Sequence, residues 1–148
     1  MGEPTKRRVF ISFQYEDLKH ASLIGAWSAN ENNDFSIYNE RLKVAVDSTN
    51  AEYVKRQLRP KIDRASVLVC LVGPTTSKSS WVNWEINYAR ASGKGLVGVV
   101  LSEGNPRPAQ LKNVGAMFVP YERAEMERAT EWAATNQKDS GDWIFKKT

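Results

Sequence analysis

Short apolar runs alternate with longer amphipathic stretches along this chain. Val9-Phe10-Ile11-Ser12-Phe13 is β-branched and aromatic, which predicts a buried strand. Asp17 then opens a helix that carries Leu18, Ala21, Ile24 and Trp27 at helical spacing and stops at Asn30-Glu31-Asn32-Asn33. Phe35-Ser36-Ile37-Tyr38 alternates like a second strand. Beyond a polar loop, Thr49 or Asn50 caps a helix whose inner face is Val54, Leu58 and Ile62, and Pro60 should bend or fray it. Ser66 to Val72 is the strongest strand pattern, apolar on both faces, and Gly73-Pro74-Thr75-Thr76 breaks it. Ser79 or Ser80 caps the next helix, with Val82, Ile86 and Ala89 inward and Gly93 at its C-terminal end. Leu96 to Leu101 forms another two-faced strand, Ser102 to Pro108 a loop, and Ala116 to Val119 a last strand. Met126, Ala129 and Trp132 mark a final helix, and Trp143-Ile144-Phe145 is apolar enough to dock on the body.

Strands alternating with helices, the central strands apolar throughout, predict a parallel sheet covered on both faces. The expected fold is therefore α/β and doubly wound, a five-stranded parallel sheet in a flavodoxin-like, three-layer architecture. It forms one domain over residues 1–148, with 1–6 as an N-terminal tail. Ligands of such sheets bind outside the carboxyl ends of the strands. Function is thus expected in the loops Ser12 to Asp17, Asn39 to Thr49, Gly73 to Trp81 and Ser102 to Lys112.

Composition narrows the chemistry. The chain has 148 residues, one Cys and one His, too few for a Cys/His zinc cluster or a disulfide framework. No metal site and no resident cofactor are expected. Lys and Arg number 21 against 17 Asp and Glu, a formal charge of +4, which suits an anionic small ligand without marking a nucleic-acid binder. Met1 to Arg8 leads into too short an apolar stretch for a signal peptide, and no run approaches a membrane span. A cytoplasmic protein without a membrane partner is the expectation.

Several α/β functions lack their residues. Ser12-Phe13-Gln14 and Gly73-Pro74 stand where a phosphoacceptor receiver domain carries its acids, and no Gly-x-Gly-x-x-Gly follows a strand. Gly73 to Ser79 approaches a phosphate-binding loop but lacks the Gly before its Lys. What remains is Glu85. Helical spacing puts Trp81, Glu85 and Tyr88 on one face, beside the core face of Val82, Ile86 and Ala89. A carboxylate between two aromatics then lies near the end of the third predicted strand. The plainer alternative is an acid favoured by the helix dipole, with half-buried packing aromatics. Asp17, Asp47 and Ser48 read either as helix caps or as ligand contacts, and Ser12 and Gln14 as turn chemistry or substrate hydrogen bonding.

Ser79-Ser80-Trp81-Val82-Asn83-Trp84-Glu85-Ile86 resembles the Ser-x-Trp-x-x-x-Glu signature of Toll/interleukin-1 receptor (TIR) domains, and Arg8 to Phe13 resembles their first strand. The pattern is most similar to the bacterial TIR-like subfamily of the Thoeris anti-phage defence system. The shared elements, in order, are the Phe-x-Ser-Phe opening, Asp17, Ser66 to Gly73, Trp81 to Ile86 and Gly93 to Val99, over residues 7 to 101. The resemblance implies cleavage of the nicotinamide–ribose bond of NAD, with NAD as substrate and Glu85 as the catalytic carboxylate. Ser12, Phe13, Gln14, Tyr15, Asp47, Ser80, Trp81 and Tyr88 are the expected substrate-binding residues. It further implies a signalling nucleotide, a cyclic ADP-ribose isomer or an ADP-ribose conjugate, read by a separate effector protein, and a homo-oligomer on activation. Two alternatives stand beside it: a non-catalytic TIR-like interaction module, and a nucleoside deoxyribosyltransferase-like enzyme.

Overall fold

The computed structural model describes residues 7–28, 33–36, 51–112, 114–136 and 141–144. Six strands form one sheet among them: β1 (Arg7–Ser12), β2 (Asn33–Ser36), β3 (Val67–Val72), β4 (Gly95–Val100), β5 (Val114–Pro120) and β6 (Gly141–Ile144). Their order across the sheet is β2-β1-β3-β4-β5-β6, and every neighbouring pair is parallel. The five-strand expectation thus falls short by one. The segment around Trp143 and Ile144, expected to dock on the body, does so as a sixth strand whose backbone pairs with Met117 and Phe118 of β5. Four residues are too short a run to show a period, so only the free edge of β5 selects this one.

Among the described residues, four helices lie between the strands: α1 (Leu18–Ser28), α2 (Ala51–Arg64), α3 (Ser80–Ala91) and α4 (Arg123–Asn136). One face of the sheet packs Val9, Ile11, Val69 and Val97 against Ala21 and Ile24 of α1 and Met126, Ala129 and Ala133 of α4. The other packs Phe10, Leu68, Cys70 and Leu96 against Val54, Leu58 and Ile62 of α2 and Val82, Ile86 and Ala89 of α3. These are the three layers of the doubly wound expectation, and β3 is buried on both sides along its whole length.

Pro60 does not end α2, which runs on to Arg64. An interior Pro costs about 3 kcal/mol, whereas full burial of Val54, Leu58 and Ile62 contributes roughly 1.5–3 kcal/mol each. Pro60 is itself exposed, so the carbonyl it leaves unbonded meets water. Helix α3 is bounded as its sequence predicts. Ser79 is the cap, its hydroxyl accepting from the Val82 N–H at 3.1 Å, and Gly93 beyond the end adopts φ +77°.

Candidate active site

The strand order reverses between β1 and β3, whose carboxyl ends lead in opposite directions across the sheet. At such a switch point the two following loops splay apart and leave room for a ligand. Ser12, the last residue of β1, pairs with Cys70 of β3 and is fully buried there. Helix α3 returns antiparallel to β3, so its first turns lie over the same end of the sheet. Glu85 comes about 7.5 Å along its axis from Ser80. It is 0% exposed, and the Ser12 hydroxyl donates to its Oε1 at 2.7 Å across 73 residues of sequence. Buried carboxylates are rare without partners, and a bond to a charged acceptor is among the stronger kind.

Asp17 stands at the same end of the sheet. It closes a 3-10 turn, its N–H donating to the Gln14 carbonyl at 2.8 Å, and its carboxylate lies against Gly73 just beyond β3. A Cβ on Gly73 would fall 2.2 Å from Asp17 Oδ2, so a glycine there is what admits the carboxylate. That oxygen is buried with no hydrogen-bond partner among the described residues. Burial pushes the Asp17 pKa up; the negative charge of Glu16 adds to this and His20 offsets part of it. The turn after β3 is tied by Thr76, whose hydroxyl accepts from the Gly73 N–H at 2.7 Å and donates to the Leu71 carbonyl at 3.1 Å. This N–H, which a phosphate-binding loop would offer to its ligand, is already bonded within the turn. Thr75 also donates to Glu16, linking the loops that follow β1 and β3.

The expected site residues separate on this frame. Ser12 and Glu85 meet; Gln14 is half-buried in the turn beside them, and Tyr15 is 68% exposed. Phe13 is not a wall of the site: it is fully buried in the core under α1 and α4, because alternation along an extended chain points it away from Ser12. Ser80 is exposed, and Ser79 takes the cap. Trp81 is half-buried and packs edge-on against Trp84 at 6.2 Å; Trp84 stacks on Tyr88 at 5.5 Å. Lys55 and Arg59 of α2 lie over Trp84, each 5.7 Å from a ring centroid. Tyr88 is drawn away from the strand ends, its hydroxyl donating to Asp63 near the C-terminus of α2 at 2.9 Å. Its pKa is raised, first by desolvation and then by this bond. Trp81 and Tyr88 thus join a row that packs α3 on α2, and the Trp84 between them is a participant that periodicity passed over. Asp47 lies outside the described residues.

A separate cleft of about 760 Å³ opens over the carboxyl ends of β4 and β5, lined by Leu101, Glu103, Arg107, Phe118, Tyr121 and Glu122 among others. It does not include Glu85. The loop 102–108 that walls it is pinned to the end of β3, where the Asn105 side chain donates to the Val72 carbonyl at 2.9 Å. No three His, Cys, Asp or Glu side chains among the described residues cluster closely enough to hold a metal ion. No described helix is long and apolar enough to cross a membrane.

Comparison with solved structures places the chain beside the CMP N-glycosidase BcmB of Clostridium botulinum. The TM-score is 0.50 at 13% identity, covering 95% of this chain and 91% of that one. At that identity the likeness concerns the fold. No curated protein matches the chain in sequence. The family described as "Thoeris protein ThsB, TIR-like domain" matches residues 10–105, from β1 through β4 into the following loop, and so takes in Ser12, Asp17, Gly73 and Glu85. With more than half of its length matched, including every strand and loop that frames the buried Ser12–Glu85 pair, the chain belongs to the TIR-like domain family of the Thoeris protein ThsB.

Proposed function

We propose that this protein cleaves the nicotinamide–ribose bond of NAD, with Glu85 as the catalytic carboxylate, and releases a signalling nucleotide for a separate effector. The observation that carries the reading is the 2.7 Å hydrogen bond from Ser12 to Glu85 Oε1, between two fully buried side chains at the strand-order switch point. Such a carboxylate is oriented before any substrate arrives, and in a water-poor site its field is screened little. In the reaction the electron pair of the C1′–N bond leaves with nicotinamide, which departs neutral, and positive charge develops on the ribose. Glu85 stabilises that charge. Water completing the reaction gives ADP-ribose and a proton. A hydroxyl of the substrate itself gives a cyclic ADP-ribose isomer, and an added small molecule gives an ADP-ribose conjugate.

Because Glu85 is 0% exposed, substrate reaches it only when the side chains covering it part. This ties activity to a triggered state, for which homo-oligomer formation is the proposed means. The test is incubation of the protein with NAD, alone and in extract of phage-infected cells, with products followed by mass spectrometry. Nicotinamide release is expected, and its loss in Glu85→Gln. NAD left intact under both conditions, or a defence phenotype unchanged by Glu85→Gln, overturns the proposal in favour of a non-catalytic module. Parallel incubations with deoxynucleosides and with CMP test base exchange and the chemistry named for BcmB.

A further inference from the structure

We infer that the cleft over β4 and β5 binds a neutral nucleoside, the adenosine half of the dinucleotide whose other end lies at Glu85; the assignment of that other end rests on the function proposed above. The cleft, at about 760 Å³, is within the size range of small-molecule sites. Its lining is chemically selective. Among the described lining residues, Glu103 sets a carboxylate beside the guanidinium of Arg107, which offers a phosphate no excess of positive charge. The Glu103 carboxylate accepts hydrogen bonds from ribose hydroxyls and from an exocyclic amine.

The base has a built platform. Arg107 lies over the Phe118 ring, 4.7 Å from its centroid. Phe118 is held flat on β4 because residue 98 is glycine: a Cβ there would fall 2.6 Å from the ring. A planar, delocalised guanidinium lying over one ring leaves its other face for a second. Tyr121 closes the far wall, fixed by its hydroxyl bond to the His20 carbonyl at 3.0 Å and by edge contact with the His20 ring.

The spacing also fits. In the order β1-β3-β4-β5 the gap between β4 and β5 lies roughly 12 Å from β1, at about 4.8 Å per strand. Two riboses joined by a pyrophosphate bridge such a distance.

The experiment is titration of the full chain with adenosine, read by chemical-shift changes. Saturable binding is expected, weakened about tenfold in Arg107→Ala and in Glu103→Gln and retained in Glu85→Gln, with thermal melts confirming that each variant is folded. Adenosine should also raise the KM for NAD without lowering kcat. No binding to the wild-type chain, or binding indifferent to Arg107 and Glu103, overturns the inference. Adenosine binding without any NAD cleavage would leave the nucleoside site standing while the NAD reading fails.

Discussion

Replacing Gly73 by Ala tests how tightly the end of β3 is built against Asp17. The added methyl would lie 2.2 Å from Asp17 Oδ2 and 2.8 Å from Cγ, where ordinary contact begins near 3.4 Å. The carboxylate would have to retreat by about 1.2 Å, on a short side chain already buried at 5% exposure. Overpacking of this kind costs about 1–3 kcal/mol. Asp17 itself is a different case. Its carboxylate is desolvated and Oδ2 has no hydrogen-bond partner among the described residues, so Asp17→Ala should cost little or even stabilise. The two substitutions should therefore couple: Gly73→Ala destabilises the native chain by about 1–3 kcal/mol, yet costs less than about 0.5 kcal/mol when Asp17 is already Ala. Urea denaturation of the four proteins in the cycle measures this. Additive costs would refute the reasoning, since the penalty of the methyl would then not arise at the carboxylate.

Three further outcomes follow from the same geometry. Ser12→Ala removes the donor that orients Glu85, and nicotinamide release should fall about 10–100-fold in kcat, read by single-turnover chromatography, with a smaller change in KM. Asp17→Asn should stabilise the fold at neutral pH and lose that advantage in acid. The carboxyl pKa is raised in the native state, so its penalty is absent below the unfolded value of 3.8 and sets in as pH rises through the higher native one. Thermal melts across pH 3–8 check the sign. Gly95→Ala would put a methyl 2.4 Å from the Ala133 backbone oxygen, where helix α4 cannot yield locally, whereas Gly104 has nothing within 4 Å. The first should lower the melting temperature by several degrees and Gly104→Ala should not.

The sequence by itself determined the layers and much of the local structure. Val67 to Val72 is apolar at every position, which with its β-branched residues and the Gly-Pro break after it fits a strand covered on both faces, and Ser79 and Gly93 bound α3 through local cap and turn chemistry. It also singled out Glu85, by helical spacing and then by a resemblance, and Ser12, by its place at the end of the first strand, as separate candidates. Their meeting was decided by tertiary structure: 73 residues apart, they touch only because β1 and β3 are neighbours and α3 crosses back over them. The same holds for Tyr88, drawn toward Asp63 of α2. It holds for β6, made a strand by the edge of β5, and for the cleft, whose Arg107 and Phe118 come from different elements. Periodicity reports which face of an element is buried. It carries no information about which other element lies against that face, and that depends on strand order and the hand of each crossover.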